Sequence, residues 1–191
     1  MTHPYTIPNL LTALRIAMIP AVVVLFFLPY TWADMACGLM FALAGITDSF
    51  DGYLARRLGQ VSPLGEFLDP VADKLIVATA LVLIVSRDPH WFITLTAAVI
   101  IGREIAISAL REWMSEIGSR HKVAVSGLGK FKTIVQIVGL SMMLFRQDLL
   151  FLPIYNIGVV LTVLAAVLTL WSMFIYLKAA WVVIKDRDNS L

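Results

Sequence analysis

From Leu149 to Leu177 the chain carries no charged side chain. As a helix, rising about 1.5 Å per residue, that stretch is longer than the ~30 Å hydrocarbon core of a bilayer is thick. Residues 16–33 are equally free of charge, and shorter apolar segments recur at 35–47, 75–86, 89–110 and 133–147. The composition agrees: 60% of residues are hydrophobic, mean hydropathy is +0.86 and only 15% are charged, whereas a soluble domain is about one quarter charged. Lipid cannot hydrogen-bond a peptide group, so each span must satisfy its own backbone, as a helix does. The expected fold is therefore all-α: a polytopic membrane bundle of six transmembrane helices, forming one domain over residues 1–191.

Pro29, the Asp88-Pro89 pair and Pro153 mark one set of helix ends, and only Arg87 and Arg146 supply basic charge there. The other basic residues, from Arg15 to Arg187, fall at the opposite ends. Lys and Arg accumulate on the cytoplasmic side of membrane proteins, so both termini are expected inside. Residues 1–15 lack a Lys/Arg-rich signal start and read as an amphipathic interfacial segment, with Pro8 near its helix start. Residues 186–191 read as a polar tail. The net charge of +2 and the lack of a basic stripe argue against a nucleic-acid partner. Cys37 stands alone, so no intramolecular disulfide can form.

The chemistry concentrates in residues 48–73, on the cytoplasmic side. Asp48 and Asp51 are three residues apart, and Asp69 and Asp73 four apart. Either spacing places two carboxylates on one helix face. Between the pairs, Gly59, Ser62 and Pro63 suit a short loop, so a helical hairpin can aim four carboxylates at one point. Such a cluster at a lipid boundary repels itself and loses hydration, and is usually functional. A divalent cation resolves the conflict. All-oxygen donors suit Mg2+ or Mn2+, whereas zinc favours Cys and His, and His3, His90 and His121 all lie elsewhere. Mg2+ in turn favours phosphate-bearing substrates. Gly52 and Ala55 leave room for a ligand beside the first pair, and Arg56 suits a phosphate. Each has a plainer reading: helix packing for Gly52 and Ala55, a topological anchor for Arg56-Arg57, and for Asp69 a helix N-cap followed by Pro70 at the first helical position.

Asp48-x-x-Asp51-Gly52-x-x-Ala55-Arg56, eight residues, then Gly65-x-x-x-Asp69-x-x-x-Asp73 resembles the complete signature of the CDP-alcohol phosphotransferases. Further stretches, Ile7-Pro8-Asn9-x-x-Thr12-x-x-Arg15, Gly102-Arg103-Glu104, Ala109-x-Arg111-Glu112-Trp113-Met114 and Gly129-Lys130-x-Lys132-Thr133, are similar to the branch that uses sn-glycerol 3-phosphate as acceptor. The resemblance implies that Asp48, Asp51 and Asp69 are metal ligands and that Asp73 completes the metal site and acts as the base. It implies CDP-lipid contacts at Gly52, Ala55, Arg56 and Ser62, and at Asn9 and Thr12 near the N-terminus. It also implies a homodimer in a bacterial cytoplasmic membrane, with active sites open to the cytoplasm.

On that basis the expected reaction moves a phosphatidyl group from CDP-diacylglycerol to sn-glycerol 3-phosphate and releases CMP. Inositol phosphate, serine or phosphatidylglycerol are the alternative acceptors within the family. The acceptor brings its own phosphate, for which Arg103, Arg111, Lys130 and Lys132 are the candidates, Arg111 and Lys130 foremost. A prenyltransferase would carry two separate Asp-rich motifs on a longer chain. A cation transporter would carry polar residues through the depth of several spans, yet 133–145 and 153–177 hold no charge.

Overall fold

The computed structural model describes residues 7–58, 63–116, 127–149 and 151–188. Their regular structure is helical: α1 (Ile7–Phe27), α2 (Thr31–Leu58), α3 (Pro63–Arg87), α4 (Trp91–Glu116), α5 (Gly127–Phe145) and α6 (Ile154–Asp188). The helix breaks at 28–30, 88–90 and, among the described residues, 146–149 and 151–153 contain Pro29, Pro89 and Pro153, as the sequence suggested. A proline has no N–H to continue a helix and pushes the preceding residue out of the helical region.

Three boundaries differ from expectation, one of them at the tail, where α6 runs to Asp188 and makes residues 186–188 helical. Residues 7–15 are continuous with the first apolar helix rather than a separate segment, because no proline or glycine falls between Pro8 and Pro20 to break the first turns. Asp69 is not an N-cap: α3 begins at Pro63, and Pro70 lies inside it. Pro63 takes the first helical position, where its missing N–H costs nothing.

Leu10–Phe27, Trp91–Glu116 and Ile154–Lys178 are each long and apolar enough to cross a bilayer. The surface has the matching character. On α6, Val160, Val163, Val167, Leu170, Trp171 and Phe174 all face outward, an apolar stripe too large for a water-facing surface. Inside, Phe41, Ile100, Leu140 and Leu144 are fully enclosed, in a core shared by α1 to α6. Among the described residues the most extensive helix contact is α5 with α6. A Cβ on Gly139 would lie 2.6 Å from Thr162 Oγ1, and one on Gly158 would lie 2.8 Å from the Gly139 carbonyl oxygen. Only glycine permits this approach, which substitutes van der Waals contact for the hydrophobic drive absent in lipid.

The end of the bundle carrying Arg87 is closed by polar contacts. Arg87 pairs with Asp34 at 2.6 Å, donates to the Phe26 carbonyl, and stacks over the Phe26 ring at 3.7 Å. Tyr155 donates to Asp88, and Arg146 lies over the Tyr155 ring. These contacts tie α1, α2 and α3 together and join the end of α3 to α6. Asp48 and Asp73 lie toward the opposite ends of α2 and α3.

Candidate active site

Three helices meet at the acidic end. α1 presents Thr12 and Arg15, three residues apart and so on one face. Both are buried, at 1% exposure. The Thr12 hydroxyl donates to Asp69 Oδ1. Arg15 Nη1 lies 2.5 Å from Asp73 Oδ1 and 3.1 Å from Asp48 Oδ1. One nitrogen of α1 therefore joins a carboxylate of α2 to one of α3. The Asp48 and Asp73 side chains are 37% and 42% exposed, so the carboxylates look outward while the guanidinium sits behind them. Asp69 and Asp73 fall one turn apart on α3, as their spacing required.

A cavity of about 190 Å³ opens at this point. Arg15, Asp48, Asp73 and Lys74 form its polar side, and Glu104, Thr133 and Gln136 stand across it on α4 and α5. Behind Glu104, Arg103 is buried. Its Nη1 lies 2.5 Å from Glu104 Oε1, and its Nη2 donates to Ser172 Oγ at 3.1 Å. Arg103 Nε is buried without a hydrogen-bond partner among the described residues. Lys132 is also buried, and its ammonium senses Arg103, Glu104 and Arg111. Arg111 is exposed and lies 5.7 Å over the Tyr176 ring. Of the acceptor-phosphate candidates, Arg103 and Lys132 are thus gathered beside the cavity wall.

Asn9 lies on α1, Asp51, Gly52, Ala55 and Arg56 on α2, and Lys130 on α5, but their side chains lie outside the described residues, as does Ser62 altogether. Among the described residues no three His, Cys, Asp or Glu side chains form a ready-made ion cage. The donor chemistry nevertheless fits a hard divalent cation. Asp48, Asp69 and Asp73 offer oxygen alone, and the basic group among them neutralises only one charge.

Sequence reasoning missed Arg15 as a site residue, because an arginine near the end of an apolar helix is normally a topological anchor. Its three-residue spacing from Thr12 was the available signal. Glu104 and Gln136 were also missed. Gln136 lies one turn from Lys132, the spacing at which residues share a helix face.

The model of the family described as CDP-alcohol phosphatidyltransferase matches residues 5–182. The chain is a member of that family. CDP-alcohol phosphatidyltransferases similar to it over nearly their full length come from several bacteria. The protein from Pectobacterium atrosepticum is 53% identical over 176 residues, covering 92% of this chain and 95% of its own. That from Sodalis glossinidius is 54% identical over 174 residues, covering 91% and 94%. That from Salmonella choleraesuis is 52% identical over 176 residues, covering 92% and 95%. Each of these family members is named CDP-diacylglycerol--glycerol-3-phosphate 3-phosphatidyltransferase. The matched region takes in every helix that lines the cavity.

Proposed function

We propose that this enzyme transfers the phosphatidyl group of CDP-diacylglycerol to sn-glycerol 3-phosphate, giving phosphatidylglycerol phosphate and CMP. The observation that carries this reading is the convergence of Asp48, Asp69 and Asp73 on Thr12 and Arg15, inside the family signature and beside a cavity with basic residues behind its far wall. The names of the near full-length relatives support the choice of acceptor.

In this reading Asp48, Asp51, Asp69 and Asp73 hold Mg2+ or Mn2+, which when bound neutralises charge on the pyrophosphate. Asp73 takes the proton of the acceptor hydroxyl, whose oxygen then attacks the β-phosphorus. The bond from that phosphorus to the bridging oxygen breaks, and CMP leaves with that oxygen. Asn9, Thr12, Gly52, Ala55, Arg56 and Ser62 surround the CDP-lipid headgroup, and Thr12 also orients Asp69. Arg103 and Lys132, assisted by Arg111 and Lys130, hold the acceptor's phosphate. Burial strengthens such ionic contacts. It is also what favours Arg103 and Lys132 over Arg111 as the primary pair. Holding both substrates in line supplies much of the rate in phosphoryl transfer.

The setting is the bacterial inner membrane. All six helices span it, α2, α3 and α5 carrying their charges to the cytoplasmic face, and both termini and the cavity face the cytoplasm. The active form is a homodimer. The test is purified protein with CDP-diacylglycerol, Mg2+ and competing acceptors, with CMP release followed and the lipid product weighed by mass spectrometry. Phosphatidylglycerol phosphate as the dominant product, lost in EDTA, supports the reading. A product from inositol phosphate, serine or phosphatidylglycerol would reassign the acceptor.

A further inference from the structure

Arg15 is nearly devoid of solvent contact, at 1% exposure, yet its partners Asp48 and Asp73 are exposed on the cavity side. Both ion pairs use the same nitrogen and an Oδ1 atom. A buried guanidinium without carboxylates is strongly unfavourable, and so is a group of carboxylates without a cation. Each arrangement makes the other tolerable. A cation arriving from the cavity meets carboxylates already drawn together, with a fixed positive charge behind them.

We propose that Arg15 is the internal counter-ion of the acidic site. It allows Asp48 and Asp73 to remain together when no divalent ion is bound, beside an Asp69 held by Thr12, and its charge weakens the hold on the ion that does bind. A site neutralised only by metal would lose its shape at each dissociation, whereas one with a built-in cation exchanges its ion with the carboxylates in place. This inference rests on the reading that the aspartates hold a divalent cation. It adds a role for α1 which the acidic signature does not contain.

The test compares thermal unfolding of detergent-solubilised parent, Arg15→Gln, Arg15→Lys and the double variant Arg15→Gln with Asp48→Asn, each in EDTA and in excess Mg2+. Arg15→Gln is expected to unfold earlier than the parent in EDTA and to gain more from Mg2+, because stabilisation by a ligand grows with the logarithm of its affinity. Arg15→Lys keeps the charge and falls between the two. Adding Asp48→Asn to Arg15→Gln removes one repelling carboxylate and recovers stability in EDTA. Mn2+ binding, read from the spin-resonance signal of the free ion, tightens at least ~10-fold in Arg15→Gln, since a unit charge opposing the ion has been removed.

Equal destabilisation of Arg15→Gln with and without Mg2+ would overturn the proposal and leave Arg15 a packing role. So would unchanged Mn2+ affinity. If Arg15→Gln cannot be isolated folded, a double variant that also fails to fold overturns the charge account. CMP release by the parent reports separately on the functional reading: its absence sinks that reading without altering the stability comparison in EDTA.

Discussion

Asp48 and Asp73, on separate helices, meet on a single nitrogen, Nη1 of Arg15, at 3.1 and 2.5 Å. The contact fixes the relative height of α2 and α3 at the acidic end, while the Arg87–Asp34 pair fixes it at the other. Two polar clasps with an apolar core between them hold the site in register.

The proposed base is the first test. Asp73→Asn keeps the side-chain shape and removes proton-accepting capacity. CMP release should fall about 10²-fold or more, with the thermal transition retained. A variant that folds and turns over like the parent refutes the assignment.

Thr12 supplies a hydroxyl to Asp69 from a fully buried position. Thr12→Val is nearly isosteric but leaves that carboxylate one donor short. A hydrogen bond to a charged group is worth about 1.5–3 kcal/mol, so kcat/KM for CDP-diacylglycerol should drop roughly 10- to 100-fold. Thr12→Ser, which restores the donor, should recover most of it.

The cavity's far wall should set acceptor affinity. Lys132→Met and Arg103→Met are expected to raise KM for glycerol 3-phosphate at least ~10-fold, the scale of one charge-assisted contact, while KM for the CDP-lipid stays within about twofold. Arg111→Ala, at an exposed position, should have the smaller effect. Steady-state kinetics with each substrate varied in turn decides the matter.

The glycine contact of α5 and α6 predicts a stability effect remote from the chemistry. A Cβ at Gly158 would press on the Gly139 backbone, and overpacking of this kind costs about 1–3 kcal/mol. Gly158→Ala should lower the melting temperature by several degrees in detergent. An unchanged transition would mean that the helices separate without penalty.

Much of this was legible from the sequence because a bilayer leaves few options. Uncharged runs such as 154–177 must be helical, and Pro29, Pro89 and Pro153 mark where helices stop. The acidic spacings were legible because helix geometry alone puts residues three and four apart on one face. What escaped depended on facts absent from local pattern. Arg15 has the same chemistry as a dozen anchoring cations, and only the packing of α1 against α2 and α3 distinguishes it. Gln136 looks like an isolated polar residue until α4 and α5 are placed around the cavity. Pro70 carries the signal of a helix start, but Pro63 begins the helix first.

Arg15 leaves the ribosome well before Asp48 and Asp73, since synthesis proceeds at about 5–20 residues per second. Until α3 emerges its guanidinium can meet Asp48 of α2 but not Asp73 of α3. The acidic end can therefore close only after the third helix has inserted.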